Sequence, residues 1–302
     1  MVKRSLSVSV PLCLSALVTA FATTAVQTAA QVDTGIRPVA LVTGSTDGLG
    51  REVALRLGGA GYHVVVHGRN EERGQAVVEE IEAHEGSASL IIADLASMTQ
   101  VRQLAAQVLR DYDRLDLLVS NAGIGRGADT SIRSESEEGY ELRFAVNYLS
   151  HFYLTRTLLP LIRQSAPARI VSVTSTAQQA IDFDNVMLEQ DYDGARAYAQ
   201  SKLAMIMMTK DLAEELEGTG VTTNAVHPAV YMATSMVLNR GGTPFTTIDE
   251  GADPVLQVIT SPIAGSGNYY RQAENVRADE QAYDIDARRR LRELAMRLAG
   301  LN

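Results

Sequence analysis

Cysteine is almost absent from this chain. The single one, Cys13, excludes an intramolecular disulfide and any cysteine-based metal site. Histidine is scarce as well: His63, His67, His84, His151 and His227 lack the helical His/Glu spacing of a metalloprotease, so no metal is expected. Lysine occurs only at Lys3, Lys202 and Lys210, and the formal net charge is −9. Without a basic run, the surface is not built for nucleic acid or anionic lipid. No internal repeat or low-complexity block is found.

What is present suffices for one ordinary core, since 46% of the 302 residues are hydrophobic. Lys3 and Arg4 precede a charge-free stretch from Ser5 to Val32, the layout of a signal peptide. Ala20-Phe21-Ala22 and Thr28-Ala29-Ala30 offer cleavage sites, while Pro11 and frequent Ser and Thr argue against a permanent span. Two readings of residues 1–35 stay open. One is a signal or anchor that exports the protein or holds it at a membrane; the other is a disordered extension, or a mistaken start, of a cytoplasmic protein. Membrane contact is expected only through this segment. Residues 36–302 are expected to form one domain.

From Pro38 onward, β-branched runs alternate with amphipathic stretches. Strands are expected at 39–42, 63–67, 89–92, 115–119, 170–173 and 222–226, with a weaker one near 268–270. Helices are expected at 49–58, 71–83, 99–112, 137–163, 196–217 and 284–298. This rhythm predicts an α/β, single-domain, Rossmann-like doubly wound parallel sheet with helices on both faces. Two irregular stretches, Ala177 to Gly194 and Tyr231 to Pro254, follow strands at the carboxyl edge of the sheet, where ligands bind in such folds. The second is read as a mobile substrate lid.

The segment TGSTDGLG, Thr43 to Gly50, joins the first strand to the first helix. Gly44, Gly48 and Gly50 allow a tight turn and close backbone approach, so Gly44, Ser45, Gly48, Leu49 and Gly50 are expected to hold a pyrophosphate at the helix N-terminus. The second strand ends His67-Gly68-Arg69, where NAD-selective sites usually carry an acid. A guanidinium there suits a ribose 2′-phosphate, which favours NADP(H) and leaves NAD(H) possible; alternatively Arg69 pairs with Glu71 or Glu72. Asp94-Leu95 and Asn121-Ala122-Gly123 follow the third and fourth strands and fit the adenine and ribose edge.

Tyr198 and Lys202 are four apart on a helical segment and share one face. Chance alone gives such a pair at a frequency of about 0.1, so context must support it. A phenol titrates near 10 in water, and a neighbouring cation stabilises its phenolate. Tyr198 is therefore a usable proton donor or acceptor for carbonyl reduction or alcohol oxidation, and Ser175, at the end of the fifth strand, is placed to orient the same oxygen.

With TGSTDGLG, the DL at Asp94, the NAG at Asn121, FAVNYLSHFYLT from Phe144, RIVSVTS from Arg169, AYAQSKLA from Ala197 and NAVHP from Asn224, the chain resembles the short-chain dehydrogenase/reductase family. It is most similar to the retinol-dehydrogenase-like branch, from Pro38 to the C-terminus. The resemblance implies that Tyr198 is the acid/base and that Ser175 orients the carbonyl. It implies that Lys202 binds ribose and assists Tyr198, that Asn147 holds a water linking Lys202 to solvent, and that Pro228 borders the cofactor. It also implies a parallel sheet of about seven strands and homodimers or tetramers built on the helices carrying Asn147 and Tyr198. The expected activity is NADP(H)-dependent hydride transfer to or from a hydrophobic carbonyl or alcohol; the alternative is an idle dinucleotide-binding sensor or interaction module. Ala229 stands where the family usually has glycine, Tyr148 and Ser150 replace the usual His and Gly, and the stretch before Thr234 is one residue longer. Thr234 is thereby in doubt as a nicotinamide ligand.

Overall fold

The structure is a computed structural model that describes residues 1–2, 37–239, 241–262 and 265–301. The leader-like segment, with Cys13 and both cleavage sites, lies outside the described residues. From Arg37 onward the chain forms one compact unit.

Short, fully buried runs such as Val39–Val42 and Leu117–Ser120 are what a parallel sheet covered on both faces requires. The strands are β1 (Val39–Val42), β2 (His63–Gly68), β3 (Ser87–Ile92), β4 (Leu117–Ser120), β5 (Ala168–Val173), β6 (Val221–His227), β7 (Tyr269–Arg271) and β8 (Glu274–Val276). They lie in the order β3-β2-β1-β4-β5-β6-β7-β8, parallel except for the last pair. The chain reverses direction across the sheet between β1 and β4, which opens a crevice at their carboxyl ends.

Helices α1 (Gly48–Gly59), α2 (Glu71–Ala83) and α7 (Ile248–Thr260) bury one set of side chains, including Val53, Val77 and Val255, against one face. Helices α3 (Met98–Asp111), α4 (Ser150–Gln164), α5 (Gly194–Glu215) and α8 (Ile285–Ala299) share the other core, with Leu104, Leu158, Leu203 and Leu291. A short α6 (Ser235–Leu238) follows β6.

Three elements depart from expectation. The helix expected from 137 starts only at Leu142, and a π-helical segment, Phe144–Leu149, precedes α4. Gly139 turns the preceding chain at φ +81, and the buried Glu141 carboxylate takes the Phe144 amide at 2.7 Å, which fixes the helix start. The stretch expected to be irregular to Pro254 becomes α7 at Ile248. A capping box of Thr247 and Glu250 starts that helix, and packing of Ala252, Val255 and Ile259 carries it through Pro254. An eighth, antiparallel strand closes the edge.

The closing helix α8 is capped by Asp284 and ended by the left-handed Gly300. It packs across α4 and α5. Its buried Arg288 donates to Glu214 at 2.8 Å and lies 3.5 Å from Asp211, which also takes Arg292 at 2.8 Å.

Candidate active site

The turn from β1 into α1 is shaped by backbone need. Gly44 has φ +66, and a Cβ there would lie 2.9 Å from the Ala122 Cα. A Cβ on Gly50 would run into the Gly44 carbonyl and the Asn121 amide. The cradle at the N-terminus of α1 therefore exists only with glycine at these positions, and it fits a dinucleotide pyrophosphate. Asp47 caps α1, taking the Gly48 amide at 2.8 Å. The Ser45 hydroxyl is spent internally, donating to the Val42 carbonyl at 2.7 Å and accepting from the His67 amide at 3.0 Å. Leu49 and Leu95 bury their side chains in the two cores. These three residues can meet a ligand only through backbone. Gly50→Ala is expected to destabilise the fold by about 1–3 kcal/mol and to weaken dinucleotide binding, read by thermal melting and fluorescence titration.

On the other side of the crevice, the Asn121 side chain donates to the carbonyls of Thr43 at 2.8 Å and Gly44 at 3.2 Å. The Thr43 hydroxyl accepts the Asn121 amide at 2.9 Å and the Ala122 amide at 3.1 Å. The ends of β1 and β4 are thus laced together.

At the end of β2, Arg69 is largely exposed and reaches Asp94 across 3.5 Å, so its partner is neither Glu71 nor Glu72. Asp94 also takes the Ala96 amide at 2.9 Å. Thr234 stands at the N-cap position of α6 with its methyl 3.3 Å from a Cβ built on Gly48, so the stretch after β6 lies against the glycine turn. Ser235 adds a hydrogen bond to Asp47. Thr246 accepts the Ala233 amide at 3.0 Å, and Tyr231 accepts the Phe245 amide at 2.9 Å. Residues 231–233 and 245–246 are therefore tied to each other, and the irregular stretch ends where α7 begins.

Deeper in the site, α5 presents Lys202 from a fully buried position, its Nζ 5.9 Å from the centre of the Tyr198 ring. The ammonium donates to the Val173 carbonyl, the last residue of β5, at 3.0 Å. Burial lowers its pKa from the usual 10.5 to about 8. Gly123 sits between Lys202 and Asn147: a Cβ on it would be 3.3 Å from Nζ and 3.2 Å from Asn147 Oδ1. The Asn147 side chain is committed, accepting the Ile124 amide at 2.8 Å and donating to Ser201 at 2.9 Å and the Ile124 carbonyl at 3.1 Å. It stands in the π-helical segment, a distortion common at functional sites. The Ser175 hydroxyl accepts the Ala177 amide at 3.1 Å, and its carbonyl takes the Tyr269 hydroxyl at 3.1 Å. Pro228 is buried directly after β6.

Sequence reasoning passed over Thr43, His151 and Tyr269. Thr43 opens the glycine motif but was overshadowed by its glycines. His151 lies one helical turn beyond Asn147, and that spacing was the available signal.

Comparison with known proteins agrees with this geometry. A family model described as short chain dehydrogenase matches residues 38–242. Human retinol dehydrogenase 13 is 33% identical over 285 residues, covering 86% of this chain and 84% of that protein. Human retinol dehydrogenase 14 is 32% identical, covering 86% of both chains. Among solved structures, the Pseudomonas aeruginosa RhlG/NADP active-site complex superposes with a TM-score of 0.64 at 30% identity, over 78% of this chain and 94% of that one. With the doubly wound sheet, the glycine turn and the Tyr198–Lys202 helix already in place, these matches establish that the chain belongs to the short-chain dehydrogenase family, in its retinol-dehydrogenase-like branch.

Proposed function

We propose that this oxidoreductase interconverts a hydrophobic alcohol and its carbonyl with NADP(H), Tyr198 serving as acid in reduction and base in oxidation. The observation that carries this reading is the buried Lys202 ammonium beside the Tyr198 ring, fixed by the Val173 carbonyl. A nicotinamide bound in the crevice would supply or accept the hydride. The Tyr198 hydroxyl donates its proton to the oxygen on which negative charge develops. Ser175, accepting from Ala177, keeps its own proton free to donate to the same oxygen. Lys202, with a pKa of about 8, is mostly protonated at neutral pH and favours the phenolate left behind. It has two further N–H donors with which to bind ribose. Both protons of the Asn147 amide are used, but its Oδ1 keeps one lone pair open, and a water relaying protons from Lys202 is assigned to Asn147.

The hydrophobic substrate class is supported by the stretch read as a lid, which exposes Tyr231, Leu238 and Phe245. It is supported too by the names of the retinol dehydrogenase relatives. Turnover of purified protein with NADPH against aldehydes and ketones of graded chain length tests it: rate should rise with apolar length, and a preference for small polar carbonyls would refute it.

NADP(H) preference is assigned to Arg69. Its exposed ion pair with Asp94 contributes only about 0–1 kcal/mol and yields readily to a phosphate. Arg69→Asp is expected to weaken NADPH binding roughly tenfold to hundredfold while NADH binding changes little, since a charged hydrogen bond is worth about 1.5–3 kcal/mol. Fluorescence titration with both cofactors checks this; equal affinities in the unmodified protein would remove Arg69 from the role.

A further inference from the structure

His151 is buried on α4, within the FAVNYLSHFYLT stretch, and the proposed chemistry does not use it. Its Nδ1 lies 3.2 Å from the Asn147 carbonyl oxygen. A carbonyl can only accept, so Nδ1 carries a proton. Burial, reinforced by nearby Lys202, holds the ring neutral. A neutral ring protonated on Nδ1 offers Nε2 as an acceptor, and Nε2 lies 3.0 Å from the Thr43 hydroxyl.

Thr43 has one proton to give, and the Val119 carbonyl, at 3.2 Å, competes for it. That carbonyl already accepts the Thr43 amide at 3.0 Å and shares the Asn121 amide, at 3.0 Å, with the Thr43 oxygen. The proton therefore goes to His151. Both lone pairs of the Thr43 oxygen then face the amides of Asn121 and Ala122. A directional chain results, from the Asn147 carbonyl through His151 and Thr43 to the backbone that presses on Gly44.

We propose that His151 is a positioning residue: as the neutral Nδ1–H tautomer it orients the Thr43 hydroxyl and so holds Asn121 and Ala122 in the shape that receives the cofactor. The proposal rests on the dinucleotide reading above. It links the Asn147 turn, on the proton side of the site, to the cofactor edge through one imidazole.

Nitrogen-15 NMR of the histidine rings in the full-length protein, with the His151 signals assigned by their loss in His151→Gln, should show the neutral Nδ1–H form. Two variants separate the halves of the bridge. His151→Gln keeps an acceptor near the Nε2 position and should bind NADPH within about threefold of the unmodified protein. His151→Asn keeps a donor near the Nδ1 position but abandons Thr43, and should bind roughly tenfold more weakly, with kcat recovered at saturating cofactor. Thermal melting should fall similarly in both, so that affinity and not stability distinguishes them. An Nε2–H ring, or equal loss of affinity in the two variants, would overturn the proposal. Failure of the unmodified protein to bind NADPH or NADH would overturn the dinucleotide reading instead, while an Nδ1–H ring in that sample would still support the orientation of Thr43.

Discussion

Replacing Tyr198 with phenylalanine is expected to remove nearly all turnover while leaving fold and cofactor affinity in place. The change deletes one oxygen and keeps the ring that faces Lys202. General acid catalysis contributes typically about 10²–10⁴-fold, and the lost hydroxyl also removes a hydrogen bond to the forming alkoxide. Lys202→Met should differ, losing turnover and also cofactor affinity, because the ammonium is assigned to both tasks. It also strips a buried hydrogen bond from the Val173 carbonyl, so its melting temperature should drop where that of Tyr198→Phe does not. Steady-state rates, cofactor titration and thermal melting on the same preparations separate these outcomes. Tyr198→Phe retaining most activity would refute the mechanism; tight NADPH binding with no carbonyl or alcohol ever turned over would put the idle sensor in its place.

The second large effect is acid destabilisation, centred on buried histidines. Burial lowers the pKa of His67 and of His227 from the usual 6.5 to about 4, and that of His151 to about 3. Charges on Arg271 and Lys202 add to the effect at His227. Each ring titrates normally when the chain unfolds, so below pH 6.5 the unfolded state binds more protons and stability falls. The stability is whole above about pH 6.5 and is lost as pH drops toward 4, at up to about 1.4 kcal/mol per pH unit for each histidine. By pH 4 each has removed roughly 3 kcal/mol, and together they rival the roughly 5–15 kcal/mol that holds a domain folded. Asp211 works the other way, since burial raises its pKa, but burial also lowers that of His63, which sides with the three. Urea unfolding at pH 7, 6 and 5 should show a steep fall, and His151→Gln should flatten it. Constant stability from pH 7 to 5 would contradict the burial of these rings.

Much of this was legible without coordinates. The bounds of β1 and α2 follow from a β-branched run and a capped amphipathic repeat, signals that need no tertiary context. Gly44 and Gly50 announce a close approach because side chains would collide there. The rest was hidden for definite reasons. Helix α7 was obscured by Pro254, whose breaking tendency is outweighed by a face packed on α1. Strand β8 has three residues and no alternating pattern to betray it. The Arg69–Asp94 pair joins residues 25 apart in sequence, on neighbouring strand ends, and local charge spacing pointed elsewhere. His151 could not be weighed from sequence because its meaning lies in Thr43, a residue 108 positions away.

The closing helix also bears on how copies of this protein meet. Members of the family often associate, and the helices carrying Asn147 and Tyr198 were the expected seam. In this chain α8 rests across those two helices, pinned by Arg288 to Asp211 and Glu214, with Arg102 of α3 holding the Ala299 carbonyl at 3.1 Å. A twofold partner approaching that side meets α8 before it meets α4 or α5. Any association on that side would therefore engage the outer face of α8 first.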